Sequence, residues 1–211
     1  MNPSEKANLL ANIEHELANA IPIALSSVES GRVLTTAIIP YFGWCFELED
    51  RAEMAMDIWT VDTETSARIQ KAGPDPKKAF WNLFQWSEHV ERSPVRFQSD
   101  KLKHNLVKWY DYADDLEGEQ DVVDDIGRAT AKACLNLNTQ GWNGSQFTDD
   151  FIVFTDCCED EHSNFGLAES VPQEWIAQQE TKYQCTFKEL TTYTPDFDLG
   201  MGMGPPPGWS P

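Results

Sequence analysis

Asp150-Phe151-Ile152-Val153-Phe154-Thr155-Asp156 places a short apolar run, with almost no polar alternation, between two aspartates. A strand with one face in water alternates apolar and polar side chains, whereas a run apolar at successive positions suits a strand covered on both faces. Phe151 to Thr155 therefore reads as a buried central strand. Immediately before it, two stretches carry the helical period. Leu102, Leu106, Trp109, Ala113 and Leu116 step by four, three, four and three, and Val122, Ile126, Ala129, Ala133 and Leu137 do nearly the same. Gly118 separates the two, so an antiparallel helical hairpin is expected, with Gly141 and Gly144 closing its second helix. After the run comes a polar turn, Asp156-Cys157-Cys158-Glu159-Asp160-Glu161-His162. Phe165 to Ala168 is expected to return as a strand. Ser170 to Gln173 fits a capping box with Pro172 in the first turn, leading into a short helix through Gln179.

Toward the N-terminus, Leu9, Leu10, Ile13 and Leu17 share a helical face, which predicts an amphipathic helix over roughly 4–20. Ser4 would be its N-cap, and Pro22 would end or restart it. Arg32 to Ile39 is rich in β-branched residues between Gly31 and Pro40 and reads as a strand. Trp44 to Leu48 reads as a second strand, and Met54 to Val61 fits helix or strand equally. Residues 72–98 hold Phe80, Trp81, Phe84 and Trp86 among prolines, a density that suits packing over a sheet rather than a ligand cage. From Pro195 onward the Gly/Pro/Met composition cannot build a core. It reads as a C-terminal tail over 197–211, beyond a single domain of 1–196, with a Pro-rich ligand for an aromatic groove as its functional alternative. The expected fold is α/β or α+β: a small mixed sheet packed against several helices, including the helical hairpin.

Composition narrows the function classes. The 211 residues include 35 acidic and 16 basic ones, for a formal net charge of −19. Such a surface repels nucleic acid and anionic membranes and favours cationic partners. Five cysteines, an odd number in apolar settings such as Trp44-Cys45-Phe46, read as free thiols of a reducing compartment. Neither a signal peptide nor a membrane span of ~18 apolar residues is apparent, so a cytoplasmic location is expected. Asn143-Gly144-Ser145 fits a glycosylation sequon that such a location makes irrelevant.

The element order resembles an uncharacterised bacterial α/β family often encoded beside polymorphic toxins and suspected to supply immunity proteins. Phe80-Trp81-Asn82 to Trp86, the run Ala129 to Leu137, and Asp150 to Asp156 leading to Ser170-Val171-Pro172 carry the resemblance, which spans about residues 5–180. It implies a non-enzymatic, toxin-neutralising role.

Motifs for catalysis are missing from the sequence. It contains no G-x-S-x-G, Walker A, G-x-G-x-x-G or H-E-x-x-H, and His15, His89, His104 and His162 are scattered. The Asp156 to His162 turn is the best metal candidate, yet adjacent cysteines make poor joint zinc ligands, and no second pair completes a set. No cofactor and no metal are expected.

Charge carries the most information. From Asp111 to Asp125 stand eight acids and no base: Asp111, Asp114, Asp115, Glu117, Glu119, Asp121, Asp124 and Asp125. Glu119 and Asp121 begin a helix, where the macrodipole welcomes negative charge. Asp114, Asp115 and Glu117 end the preceding helix, where it costs about 0.3–1 kcal/mol each. Fifteen residues at ~1.5 Å each span about 22 Å, or roughly one carboxylate per 2.8 Å, against ~3.4 Å per phosphate along a DNA strand. Residues 76–108 are conversely basic, so the molecule is expected to be polarised. Asp114, Asp115, Asp121 and Asp124 are all expected to be exposed. A recognition surface for a basic protein, either a toxin or a nucleic-acid-binding protein, competes with a merely solvated face. Three functions remain open at this level: an immunity-type inhibitor, a phage-type DNA mimic, and an enzyme whose site assembles from dispersed residues.

Overall fold

In the computed structural model, residues 1–29, 31–41, 52–53, 55–72, 93–114, 120–157 and 165–191 are described. Four strands, β1 (Leu34–Tyr41), β2 (Asp57–Asp62), β3 (Ser93–Arg96) and β4 (Phe147–Cys157), form one sheet in the order β3-β2-β1-β4. β1 runs antiparallel to β2 and parallel to β4, and β3 is antiparallel to β2. Around this mixed sheet lie α1 (Pro3–Ser26), α2 (Thr63–Ala72), α3 (Asp100–Asp114), α4 (Gln120–Gln140), α5 (Phe165–Ser170), α6 (Gln173–Tyr183) and α7 (Phe187–Thr191). The expected α/β class is the one found. The ambiguous stretch before Val61 resolves as strand β2. The sequence reading did not anticipate β3, where Pro94 sits in a strand that ends the described sheet and so withholds a donor at little cost.

Register assigns the side chains to two cores. Ile38 stands between Trp59 and Phe154, and Ala37 between Thr60 and Val153. Leu34, Ala37, Ile39, Tyr41, Ile58, Phe151 and Val153 join α1, α3 and α4 in the larger core. On the other face, Ile38, Val61, Ile152 and Phe154 meet Leu167, Val171, Trp175 and Leu190. A slip in register between Leu34 and Thr36 is a β-bulge, and it puts Leu34 on the same face as Ala37, three residues on.

This explains the apolar run at 151–155, because β4 is buried on both faces. It is not central, however: among the described strands it ends the sheet. Apolar density reports cover above and below a strand and says nothing of its neighbours to left and right. Side chains take the backbone groups that lack a strand partner. The Asn138 amide nitrogen donates to Val153 O at 2.7 Å and to Ser170 O at 2.7 Å. Its Oδ1 accepts from Val153 N at 3.1 Å and from Trp142 Nε1 at 2.9 Å. Thr155 N donates to Ser170 Oγ at 3.2 Å, and Trp175 Nε1 to Asp150 O at 3.2 Å. The edge is thereby closed to a further strand along these positions.

Two expectations fail here for the same reason. Phe165–Ser170 is helix α5 rather than a return strand. A Cβ on Gly166 would stand 2.1 Å from Thr155 O, so the bare glycine lets this helix lie directly on β4. Ser170 does not cap α6, whose N-cap Pro172 makes no side-chain hydrogen bond. Its fully buried hydroxyl instead donates to Gly166 O within α5 and accepts from Thr155 N.

α1 is longer than expected. Asn2, not Ser4, is the N-cap, in a capping box with Glu5 and with Pro3 in the first turn. Pro22 lies inside the helix, in its last two turns, where buried Ile21, Ala24 and Leu25 hold the chain helical beyond it. α3 and α4 follow each other as the hairpin required, but they pack little on one another: α3 lies mainly on α1, and α4 on α1, α5 and β4. Leu102, Leu106, Trp109 and Ala113 of α3 are buried, as are Ile126, Ala129, Ala133 and Cys134 of α4. Gly127 lets α4 approach Tyr41, since a Cβ there would lie 2.8 Å from the ring. α4 ends at Gly141, whose φ of 78° suits glycine. The proposed strand at 44–48, the aromatics at 80–86, most of the acidic turn and the tail lie outside the described residues.

Candidate partner-binding face

α3 buries Leu102, Leu106, Trp109, Tyr110 and Ala113, and this stripe fixes what faces outward. Lys101, Lys103, His104 and Lys108 are exposed along its first part, and Asp111 and Asp114 on its last turn. No basic residue stands in that last turn. The helix therefore carries both signs at the end its dipole disfavours, except for Asp100 in the first turn. Several cations are engaged locally: Lys103 pairs with Glu53, as does Arg96 of β3, and Lys101 lies 3.9 Å from Glu16.

The eight acids of 111–125 do not behave alike. Asp114 is exposed, as expected, and so is Asp111. Asp124 is not: it is half-buried, 3.7 Å from Arg128 one helical turn on. Asp125, also half-buried, pairs with Lys6 of α1 and lies 3.9 Å from Arg128. The Lys6 ammonium stands 5.9 Å from the ring centroid of the fully buried Trp109. Lys6 thus sits between α3 and α4 and neutralises a carboxylate at their junction with α1. Asp124 and Asp125 are explained by the fold, and Asp111 and Asp114 are the exposed members of the cluster among the described residues. Asp115, Glu117 and Glu119 lie outside the described residues, as does the Asp121 side chain. The i,i+4 spacing of Asp124 and Arg128 was legible in the sequence; Lys6, more than a hundred residues away, was not.

Other candidates are organised as structure. Asp62 accepts from Thr65 N at 2.8 Å at the start of α2 and from Arg32 Nε at 2.9 Å. Partial burial pushes its carboxyl up, but the Thr65 bonds and the Arg32 charge outweigh this and hold it below the ordinary range. Asp150 follows the same pattern: burial opposes ionisation, and Lys182 Nζ at 3.0 Å prevails. Cys134 is fully buried and its thiol is pushed far above the ordinary range by desolvation, which removes it as a nucleophile. Cys134 and Cys185 are free thiols; the side chains of Cys45, Cys157 and Cys158 lie outside the described residues. Among the described residues, no three His, Cys, Asp or Glu side chains gather as a metal site, and no helix is long and apolar enough to cross a membrane. No family model, no curated protein and no solved structure matches this chain.

Proposed function

We propose that this chain is a non-enzymatic acidic binding protein that takes a basic protein partner on the outward face of α3 and its continuation into α4, in the manner of an immunity-type inhibitor. The observation that supports this reading most is the placement of Asp111 and Asp114 on the last turn of α3. Helix stability opposes negative charge there, and both carboxylates are exposed, whereas Asp124 and Asp125 are half-buried against Arg128 and Lys6. A net charge of −19 then supplies a long-range field that draws a cationic protein toward such a face.

The test is affinity capture of basic proteins on the immobilised full-length chain, followed by kinetics with the captured protein. Asp111→Lys/Asp114→Lys is expected to fold like the parent and to slow association by roughly tenfold or more at low salt. Undiminished association would remove this face from the interaction. A captured nucleic-acid-binding protein released by competing DNA would favour the DNA-mimic form of the same role.

A further inference from the structure

We propose that Asn143 is a site of spontaneous deamidation, through a succinimide closed on the main-chain nitrogen of Gly144. Of the asparagines in the sequence, Asn143 alone is followed by glycine. It lies exposed in the loop between α4 and β4, as do Gly144 and Ser145. Gly144 has φ 131°, a conformation that side-chain-bearing residues rarely adopt. A Cβ placed there would find its nearest neighbours 3.9 Å away, at Gln146 and Phe147. Access to the nitrogen is thus blocked neither by a side chain at 144 nor by close packing around it. Among the described residues no hydrogen bond holds the Asn143 side chain or the Gly144 N–H. The other described asparagines differ in the residue that follows and in the state of its nitrogen. Asn8, Asn12, Asn19, Asn105, Asn136 and Asn138 lie within helices, where the main-chain nitrogen that follows is tied into the helix, and Asn2 precedes a proline.

The chemistry needs water alone. The deprotonated Gly144 amide nitrogen gives its electron pair to Asn143 Cγ, the Cγ–Nδ2 bond breaks, and the amide leaves as ammonia after taking a proton. Water then opens the five-membered imide at either carbonyl. One opening yields aspartate with the original main chain. The other yields isoaspartate, in which the main chain runs through the former side chain and is longer by one methylene. This loop is pinned at both ends. Trp142 donates to Asn138 Oδ1 at 2.9 Å and meets the Phe151 ring edge-on at 5.2 Å, and Leu34 N donates to Gln146 O at 2.8 Å. An inserted methylene between those anchors disturbs the start of β4, so the isoaspartyl form is expected to be less stable than the parent.

The experiment incubates the full-length protein, below its unfolding temperature and at mildly alkaline pH, beside a synthetic peptide of residues 140–147. Both are sampled over time, and the protein is digested under acidic conditions and mapped by mass spectrometry. Conversion is expected at Asn143 before any other asparagine, with isoaspartate the major product, and no product at that position in Asn143→Gln. The deamidated fraction, separated by its extra negative charge, should unfold at a lower temperature. Earlier conversion at another asparagine would overturn the proposal. So would an intact Asn143 in the folded protein over a period in which the peptide converts fully.

Discussion

Replacing Asn138 with alanine removes four hydrogen bonds at one stroke: the two donated to Val153 O and Ser170 O and the two accepted from Val153 N and Trp142 Nε1. Val153 and Ser170 are fully buried, so water cannot replace the lost partners without opening the α4–β4–α5 junction. At about 0.5–1.5 kcal/mol net per bond the total is about 2–6 kcal/mol. Because Asn138 itself is half-buried and admits some water, about 2–4 kcal/mol is the expected loss. For a chain of this size, at about 2–4 °C per kcal/mol, Tm should fall by roughly 10 °C. Chemical denaturation of parent, Asn138→Ala and Asn138→Asp measures this. The aspartate keeps the acceptor for Val153 N–H and Trp142 but turns a carboxylate toward two carbonyl oxygens. It should therefore be at least as destabilised as alanine at neutral pH and recover partly in acid, where the protonated form donates one bond. A loss below about 1 kcal/mol for alanine, or an aspartate variant as stable as the parent at neutral pH, would refute the view that Asn138 closes the edge of β4.

Two further outcomes are expected. Gly166→Ala should cost more than about 3 kcal/mol and reduce the yield of folded protein, because the added methyl meets the Thr155 carbonyl, which is main chain and cannot turn aside; unfolding by circular dichroism checks this. Lys182→Met should lower stability at neutral pH but not at either extreme. Asp150 is held below its ordinary pKa by Lys182, so its contribution is present above the unfolded carboxylate value and lost as pH falls through the folded one. The Lys182 ammonium is held above its ordinary value, so its contribution is present below the unfolded lysine value and lost as pH rises through the folded one. A stability gap between parent and variant that persists unchanged in strong acid would contradict this pairing.

The period of the sequence revealed α3, α4 and the strands β1 and β4, because one apolar face or two apolar faces leave a pattern that local reading detects. Lateral order in the sheet leaves no such pattern. β4 looked central because helices cover both its faces, and its end position is marked instead by polar residues elsewhere in the chain. Asn138 continues the buried line Ile126, Thr130, Cys134 by one further turn of α4. That was the available signal that an apparently solvated amide points inward. Ser170 and Gly166 misled for a related reason. A capping sequence at 170–173 and a short stretch read as a return strand at 165–168 are local cues, whereas contact with Thr155 decides what those residues do. In the acidic stretch, the sequence separated the eight carboxylates only by helix end, and it expected Asp124 to be exposed like Asp114. The distinction between Asp111 and Asp114, which face outward, and Asp124 and Asp125, which bind Arg128 and Lys6, depends on where α1 docks.

The proposal that α3 presents a recognition face is tested most directly by the association rate of a captured basic partner with the parent and with Asp111→Lys/Asp114→Lys, measured as ionic strength rises. The Debye length shrinks from about 10 Å at 0.1 M to about 3 Å at 1 M, so steering by these carboxylates must fade over that range. The parent should associate fast at low salt and slow steeply as salt is added. The double variant should start roughly tenfold slower or more and respond weakly to salt, with a circular dichroism spectrum like the parent's. Equal rates and equal salt dependence for the two proteins would contradict the account and leave Asp111 and Asp114 as a solvated face.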